Sequence, residues 1–329
     1  MNFASDNVAG AAGPILEALV KGMGPGAEPA MPYGNDPVTR RVEAAFDDLF
    51  ECETTIFPVA TGTAANALAL SVLCPPYGTI YCHRLAHIEE DECGAPEFFT
   101  GGAKLTLLDG ADGKLTPDGL STALAAGHAG VVHHAQPAAV SLTQATECGT
   151  AYSVAEIKAL TAIAHAHGLP VHMDGARFAN AVAHLGCTAA EMTWKAGIDV
   201  LSFGGTKNGC LAAEAVVFFT HRDKAAEFGF RRKRAGHLFS KMRTISLQLE
   251  AYLADGLWLS MARQANDNAR TLLERLTAMD GVVPVYEPGS NVMFLRIEPP
   301  VADALRSQGY VFVQRGGPDV YRWVAASDV

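Results

Sequence analysis

Two stretches in the middle of the chain decide the fold: LPVHMDGAR at residues 169–177 and DVLSFGGTKNG at residues 199–209. Each begins with a short, mostly apolar run and ends in glycine and other small residues, beside which a charged side chain stands. Such runs, closed by turn residues, are typical of buried strands. The first strand is predicted to end at Asp174, and the second to lead directly to Lys207.

The two charged residues are expected to share one crevice, because the carboxyl ends of strands in open α/β sheets face the ligand. Alone, Asp174 would be interpreted as a turn or helix-cap residue, and Lys207 as a solvated lysine. Together they suit a pyridine aldehyde. The carboxylate pairs with a protonated ring nitrogen, and the amine forms an imine with the aldehyde. The pattern therefore predicts a site for pyridoxal phosphate.

A phosphate subsite is predicted at Gly62 and Thr63, which lie between the apolar run at residues 55–60 and an alanine-rich helix. The free N–H groups of a helix N-terminus bind phosphate, and glycine allows the ligand to approach. Strand-to-helix turns commonly contain glycine and threonine, so this pattern has weight only beside Asp174 and Lys207.

The rest of the chain indicates an α/β protein with a mostly parallel sheet. Asp36 before Pro37 predicts a helix start, and Ser153 with Glu156 predicts a capping box. Strand and helix patterns alternate up to about residue 240. A long helical region at about 241–279 and short strands then follow. We therefore expect a large cofactor-binding α/β domain at residues 1–240, with the N-terminal segment, and a small α+β domain at residues 241–329.

Composition excludes several classes of protein. The 329 residues carry a net charge of −10, which disfavours nucleic acid as a partner. No apolar run approaches the roughly 20 residues of a membrane span, and the N-terminus lacks the pattern of a secretory signal. The seven scattered cysteines form no Cys-x-x-Cys motif, which argues against disulfides and structural zinc. We expect a cytoplasmic protein with no metal site.

The chain resembles the low-specificity L-threonine aldolases, within the aspartate aminotransferase-like (fold type I) pyridoxal-phosphate enzymes. The resemblance runs through nearly the whole chain. Its marks are Ser5-Asp6-Asn7, Tyr33-Gly34-Asn35-Asp36-Pro37, Thr61-Gly62-Thr63-Ala64-Ala65-Asn66, Ala86-His87, His172-Met173-Asp174-Gly175-Ala176-Arg177 and Gly204-Gly205-Thr206-Lys207. The lysine segment differs from the Ser-Lys-Gly form common in that family, but the lysine aligns.

The resemblance implies a role for each matching residue. Lys207 holds the cofactor, Asp174 pairs with its ring nitrogen and His87 stacks on the ring. Gly62 and Thr63 bind the phosphate, and Ser5, Arg177 and Arg322 bind the substrate carboxylate. Arg177 and Arg243 make further contacts with the cofactor. Tyr33 and Arg243 contribute to the active site of a neighbouring subunit. Family members are usually tetramers built from dimers, so we expect a homotetramer with shared active sites.

The base that takes the substrate hydroxyl proton is open. Thr146 stands where family members often carry a histidine. His133 and His134 are predicted to end a strand just upstream, and His133 is a candidate base. A structural role for that pair, and a water as the base, are the alternatives. Glu92 is interpreted as part of a solvated acidic stretch at residues 89–92 rather than as support for His87.

The predicted activity is the retro-aldol cleavage of threonine, allo-threonine and related β-hydroxy-α-amino acids to glycine and an aldehyde. β-Elimination or transamination on the same scaffold is the nearest alternative, because Asp174 and Lys207 would serve those reactions equally. A non-catalytic binding protein is disfavoured by Lys207, and a scaffold protein by the absence of repeats and heptads.

Overall fold

The computed structural model describes residues 1–328 and contains two β-sheets flanked by helices. The strands are β1 Thr55–Val59, β2 Gly78–His83, β3 Lys104–Leu108, β4 Gln136–Thr143, β5 Val171–Gly175, β6 Val200–Gly204, β7 Glu214–Phe218, β8 Val282–Pro284, β9 Val292–Ile297, β10 Val313–Gln314 and β11 Val320–Val324. The helices are α1 Gly13–Met23, α2 Pro37–Phe50, α3 Gly62–Leu73, α4 His87–Glu90, α5 Ala95–Thr100, α6 Pro117–Ala125, α7 Val154–Ala166, α8 Phe178–Leu185, α9 Ala189–Met192, α10 Arg222–Arg234, α11 Arg243–Leu253, α12 Leu257–Thr277 and α13 Pro299–Ser307.

The large sheet has seven strands in the order β1-β7-β6-β5-β4-β2-β3. The pairs from β6 through β5, β4 and β2 to β3 are parallel, whereas β7 runs antiparallel to both β6 and β1. The predicted mostly parallel sheet is therefore confirmed. Because β4, β5 and β6 are parallel neighbours, their carboxyl ends meet at one edge.

The predicted helix starts are confirmed in atomic detail. The Asp36 carboxylate accepts a hydrogen bond from the backbone N–H of Thr39 at 2.9 Å. Ser153 and Glu156 form the reciprocal capping box at the start of α7. Each cap satisfies backbone donors that a helix N-terminus leaves without partners.

Both faces of the large sheet are covered, which explains why its central strands are mostly apolar and do not alternate with exposed polar residues. Every residue of β5, β6 and β7 is buried. On one face, Phe203 of β6 packs between Phe46 and Phe50 of α2 and Phe178 of α8. On the other face lies α3, whose residues 64–73 are all buried because α5 and α10 cover its outer side.

The predicted long helical region at 241–279 is confirmed, but it consists of two helices, α11 and α12, separated by a break at residues 254–256. Asp255 and Gly256 both adopt positive φ angles, of 51° and 68°. Helix α11 packs against α1 and α2 and places Ile245 and Leu249 in the core of the large sheet, whereas α12 packs against α8 and continues to β8. The predicted domain limits, 1–240 and 241–329, stay a prediction.

The small sheet is antiparallel, in the order β10-β11-β9-β8, and α13 packs against it. Helix α13 was not predicted from the sequence. The N-terminal segment belongs to this region: the backbone N–H of Phe3 donates to Val311 at 2.7 Å, and its ring packs on Trp323. Among residues 1–328, no helix is both long and apolar enough to cross a membrane.

We predict that Phe203→Ala lowers the stability of the protein by about 3–5 kcal/mol, because the truncation leaves a cavity among fully buried aromatic rings. The measurement is the urea midpoint of unfolding followed by near-UV circular dichroism. Phe230→Ala is the matched control, since that ring is 79% exposed; its midpoint should stay close to wild type. Equal midpoints for Phe203→Ala and wild type would contradict the assigned core.

Candidate active site

Asp174 lies buried at the carboxyl end of β5, as the sequence predicted, and two donors hold its carboxylate. Oδ1 accepts from the backbone N–H of Ala176 at 3.0 Å, and Oδ2 accepts from the side-chain amide of Asn66 at 3.0 Å. The neighbouring strand β6 leads to Lys207, which lies in a one-turn 3₁₀-helix at residues 206–208. The strand ends thus bring the carboxylate and the amine to one edge of the sheet.

A buried histidine supports the floor of this edge. His172 lies two residues before Asp174 on the same face of β5, and its ring nitrogens bond Ser141 of β4 and Ser202 of β6, each at 2.9 Å. Burial lowers the pKa of His172 to about 4, despite the opposing charge of Asp174. The ring is therefore neutral at pH 7 and connects three adjacent strands without adding charge beneath Asp174.

His87 begins α4 and lies in the same group of side chains. Its Nδ1 bonds Glu92 Oε1 at 2.8 Å, and the Nδ2 of Asn66 donates to that same oxygen at 2.8 Å and to Asp174. The interpretation of Glu92 as solvated is wrong: this side chain is fully buried. The chain turns inward after α4, a change of direction that the acidic run at 89–92 does not reveal.

Charge and burial oppose each other in the pair of His87 and Glu92. Burial acts to lower the pKa of His87, but the hydrogen bond to Glu92 and the carboxylates of Asp174 and Glu147 outweigh it and raise this pKa. Burial raises the pKa of Glu92, and Asp174 adds to the effect, although the hydrogen bonds from His87 and Asn66 oppose it.

The sequence predicted no metal ligands, and this stays a prediction. The ligand atoms of His87, Glu92 and Asp174 lie within 4.8 Å of one another. The amide NH₂ of Asn66 already points at both carboxylates. A cation placed there would meet that donor, so the arrangement disfavours a metal.

Lys207 is half-buried and lies within electrostatic range of two acidic groups. Burial raises the pKa of Glu214, at the start of β7, to about 7, and a hydrogen bond from Thr206 and the charge of Lys207 limit the rise. Burial also raises the pKa of Asp6, but the charges of Arg177 and Lys207 outweigh it and hold that pKa below its usual value.

Arg177 does not present its whole guanidinium to the crevice, because Asp6 occupies one edge of it. Nε donates to Asp6 Oδ2 at 2.7 Å and Nη2 donates to Asp6 Oδ1 at 3.1 Å, and both side chains are buried. Asn291 also donates to this carboxylate, at 3.2 Å. The opposite edge of the guanidinium, formed by Nη1 and the second Nη2 hydrogen, is left for another acceptor.

Positive charge collects beside that edge. Arg322 of β11 donates from Nη2 to the carbonyl of Ala4, next to Ser5, while its buried Nε has no hydrogen-bond partner among residues 1–328. Burial lowers the pKa of Arg322, and the charges of Arg177 and Arg315 lower it further. A carboxylate entering between Ser5, Arg177 and Arg322 would relieve this repulsion.

The predicted phosphate subsite lies at the N-terminus of α3. The hydroxyl of Thr61 caps the helix by accepting from the N–H of Ala64 at 3.2 Å, so the N–H groups of Gly62 and Thr63 are left for another acceptor. A Cβ atom built on Gly62 would have no neighbour within 4 Å, so space is open in front of the turn.

Tyr33 and Arg243 belong to neighbouring segments, since the backbone N–H of Tyr33 donates to the carbonyl of Ser240 at 3.0 Å. Tyr33 is 43% exposed with the Lys233 ammonium 4.9 Å from its ring centre, and Arg243 donates to the carbonyl of Glu28 at 2.9 Å. Neither has a hydrogen bond, within residues 1–328, to the groups around Asp174. Their expected contribution to a neighbouring active site stays a prediction.

The predicted strand end at His133 and His134 is wrong. Both residues are exposed in the turn before β4, which begins at Gln136. They therefore lie at the amino end of this strand, roughly 25 Å along it from Thr143 at about 3.3 Å per residue. The geometry gives no support to His133 as a base. Thr146 is buried and bonds Asp112 and Thr150.

Several residues of this site received no role from the sequence: Asp6, Asn66, Glu147, Glu214 and Asn291. Asp6 and Asn66 stand inside motifs that the sequence had singled out, so proximity to Ser5 and Gly62 was an available signal. Glu147, between buried Thr146 and buried Cys148, acts electrostatically on His87, Arg177, Arg315 and Arg322. Glu214 and Asn291 carried no sequence signal.

Comparison with known proteins identifies the family. The profile of the beta-eliminating lyase family matches residues 2–298. The low specificity L-threonine aldolase of Pseudomonas aeruginosa is 45% identical over 318 residues, which cover 96% of this chain and 90% of that protein. The chain belongs to the beta-eliminating lyase family, with the low-specificity L-threonine aldolases. The resemblance inferred from its motifs is thereby confirmed.

More distant relatives agree. The probable low-specificity L-threonine aldolase 2 of Arabidopsis thaliana is 30% identical over 270 residues, covering 80% of this chain and 74% of that protein. Among solved structures, the Leishmania major threonine aldolase superposes with a TM-score of 0.90 over 100% of this chain and 94% of that one, at 23% identity. An aspartate aminotransferase from Rhodobacter sphaeroides gives 0.73 over 98% and 88%, at 16% identity. The predicted aminotransferase-like fold is confirmed.

We predict that Asp6→Asn destabilises the protein at pH 7 by about 3 kcal/mol, because it leaves the buried Arg177 without a counter-charge. The folded pKa of Asp6 lies below the unfolded one. Its contribution is therefore complete above about pH 4 and is lost as the pH falls through the lower, folded pKa.

The difference in urea midpoint between variant and wild type should accordingly be constant from pH 7 to pH 5 and shrink towards pH 3. Asp267→Asn, which removes an exposed pair with Arg270, is the control and should shift the midpoint little. A pH-independent difference for Asp6→Asn would contradict the assignment of this ion pair.

Proposed function

We propose that this protein is a pyridoxal-phosphate-dependent aldolase that cleaves L-threonine, L-allo-threonine and related β-hydroxy-α-amino acids to glycine and an aldehyde. The observation that carries the proposal is the convergence of the Asp174 carboxylate, the Lys207 amine and the Arg177–Arg322 pair at one edge of the sheet. The family membership favours the aldol reaction among those that such a site can support.

The side chains fit pyridoxal phosphate as a set. The open helix N-terminus at Gly62 and Thr63 suits its phosphate, the buried carboxylate of Asp174 suits its ring nitrogen, and Lys207 suits its aldehyde. His87 and Arg177 would flank the ring. When bound, the cofactor supplies an electron-accepting ring that stabilises the charge left at Cα when a bond to that carbon breaks.

Arg177, Arg322 and Ser5 would hold the substrate α-carboxylate. With one guanidinium edge fixed by Asp6, Arg177 cannot rotate away, and its free edge presents two donors in a plane. A carboxylate fixed in this way restricts rotation at Cα, so that the bond to Cβ can be held in the orientation in which it breaks.

His87 is the histidine best situated to receive the β-hydroxyl proton, either directly or from an intervening water. Nδ1 is engaged by Glu92, so Nε2 is the nitrogen left for this task. Asp174 would not accept the hydroxyl proton. Its buried carboxylate would instead stabilise the positive charge on the ring nitrogen of the cofactor. Glu147 adds negative charge near His87 and supports its protonated form.

Assembly and location complete the proposal. A homotetramer built from dimers, with Tyr33 and Arg243 completing the neighbour's site, would account for an exposed tyrosine and a half-buried arginine that have no hydrogen bond, within residues 1–328, to the groups around Asp174. A cytoplasmic location suits a protein whose seven cysteines are free. We retain residues 1–240 and 241–329 as the large and small domains.

β-Elimination is the second candidate, because the matching family is described as that of beta-eliminating lyases. Asp174 and Lys207 would serve both reactions. The products separate them: aldol cleavage of threonine yields glycine and acetaldehyde, whereas elimination yields a keto acid and ammonia.

We predict that Lys207→Ala abolishes glycine release from threonine and the visible absorbance of the bound cofactor, while circular dichroism stays that of wild type. The reason is that the amine that binds the cofactor aldehyde is lost. Lys104→Ala, on the exposed end of β3, is the control and should keep both properties. Glycine release near the wild-type rate in Lys207→Ala would refute the central assignment.

We also predict that Arg322→Lys raises KM for threonine and lowers kcat, together by about 10–100-fold in kcat/KM. A lysine cannot reproduce the planar fork, and a misplaced carboxylate tilts the scissile bond. Arg296→Lys, on the neighbouring strand β9 with an exposed ion pair to Asp319, is the matched control. Steady-state kinetics on both variants decide the matter; unchanged constants at position 322 would assign the carboxylate to other residues.

A further inference from the structure

Glu92 is a buried carboxylate outside the set of residues that would bind cofactor or substrate. Its side chain is completely buried, although the preceding acidic residues Glu90 and Asp91 are exposed. Oε1 accepts two hydrogen bonds, whereas Oε2 has no partner among residues 1–328. Burying a carboxylate with half of its acceptor capacity unused is costly, so a compensating function is expected.

The two donors to Oε1 identify that function. One is Nδ1 of His87 and the other is Nδ2 of Asn66, each at 2.8 Å. The second hydrogen of the Asn66 amide is donated to Asp174 Oδ2. A continuous chain of hydrogen bonds therefore runs from His87 through Glu92 and Asn66 to Asp174.

We propose that Glu92 is a positioning residue for His87: it holds the proton of the imidazole on Nδ1 and leaves Nε2 as the acceptor that faces the reacting groups. An ionised carboxylate accepts and never donates, so the bonded nitrogen must carry the hydrogen. The inference rests on the proposed function for the identity of the reacting groups, but the tautomer itself does not depend on that function.

Asn66 gives this arrangement its rigidity. Because one NH₂ group donates to both carboxylates, the orientations of Glu92 and Asp174 are fixed relative to each other. His87, which would stack on the cofactor ring, and Asp174, which would pair with the ring nitrogen, are thus connected through Glu92 and Asn66. A carboxylate that orients a catalytic imidazole in this way is a known device for selecting a tautomer.

Glu92 is one of four carboxylates that interact electrostatically with His87. The others are Asp91, on the same loop, Glu147, after β4, and Asp174, at the end of β5. Removing the charge of Glu92 while keeping its shape should lower the His87 pKa by about one unit, a tenfold change in the protonation equilibrium.

Glu92→Gln is the decisive variant. A glutamine can keep its oxygen at the Oε1 position, where it accepts from His87 and Asn66, and place its NH₂ at the Oε2 position. Glu90→Gln, at the exposed end of α4, is the matched control, and Glu92→Asp restores the charge on a shorter side chain. All are prepared with pyridoxal phosphate bound.

The primary measurement is ¹⁵N NMR of histidine-labelled protein, in which the shifts of Nδ1 and Nε2 report the tautomer and its pKa; His87→Phe assigns the resonances. We expect Nδ1–H in the wild type, a His87 pKa lower by about one unit in Glu92→Gln, no change in Glu90→Gln and at least partial recovery in Glu92→Asp. In threonine cleavage, kcat should fall about tenfold in Glu92→Gln, with KM almost unchanged. The acid limb of the pH profile should move to lower pH, as the pKa of His87 does.

The inference is overturned if the wild-type proton of His87 is on Nε2, a result that requires no substitution at Glu92. It is equally overturned if Glu92→Gln leaves both the shifts and the pKa of His87 unchanged. If the wild type releases no glycine from any β-hydroxy-α-amino acid, the proposed function fails, and the NMR result still decides the role of Glu92.

Discussion

Arg177 and Asp6 form a buried, bidentate ion pair on which the geometry of the site depends. Arg177 follows β5 of the large sheet, whereas Asp6 belongs to the N-terminal segment, which pairs with residue 311 and packs on the small sheet. The pair therefore joins the two sheets at the point where the substrate would bind. Such a pair adds little net stability over apolar packing but costs several kcal/mol when broken. Its value lies in the fixed position of the guanidinium.

The site separates charge into two regions. Asp174, Glu92 and Glu147 supply negative charge around His87, whereas Arg177, Arg315 and Arg322 supply positive charge near Ser5. The first region suits a protonated ring nitrogen and a proton-carrying imidazole, and the second suits a carboxylate. Lys207 lies within electrostatic range of Asp6 and Glu214, and its positive charge acts to lower the pKa of both carboxyl groups. This division of charge would suit the proposed amino-acid substrate, whose carboxylate would lie in the positive region.

Both regions depend on the parallel strands β4, β5 and β6, whose carboxyl ends share one edge. The ladder of Ser141, His172 and Ser202 connects these strands beneath Asp174 and stays uncharged, because burial lowers the pKa of His172 to about 4. Helices cover both faces of the sheet, so the strand ends are the polar opening of an apolar interior. The predicted site residues therefore lie at the carboxyl edge of the sheet, where the buried layer ends.

The sequence by itself determined the features that depend on neighbouring residues. The caps at Asp36 and Ser153, the strands ending at Asp174 and before Lys207, and the parallel sheet were predictable because short-range patterns and turn residues encode them. Only the tertiary structure decided what depends on distant partners: the burial of Glu92 against Asn66, the pairing of Arg177 with Asp6, and the position of His133 at the amino end of β4. The break at Asp255 also escaped prediction, because the residues on both sides keep a helical pattern. Local pattern indicates where a strand begins and ends, but the partner of a charged side chain is set by segments that folding brings together from far along the chain.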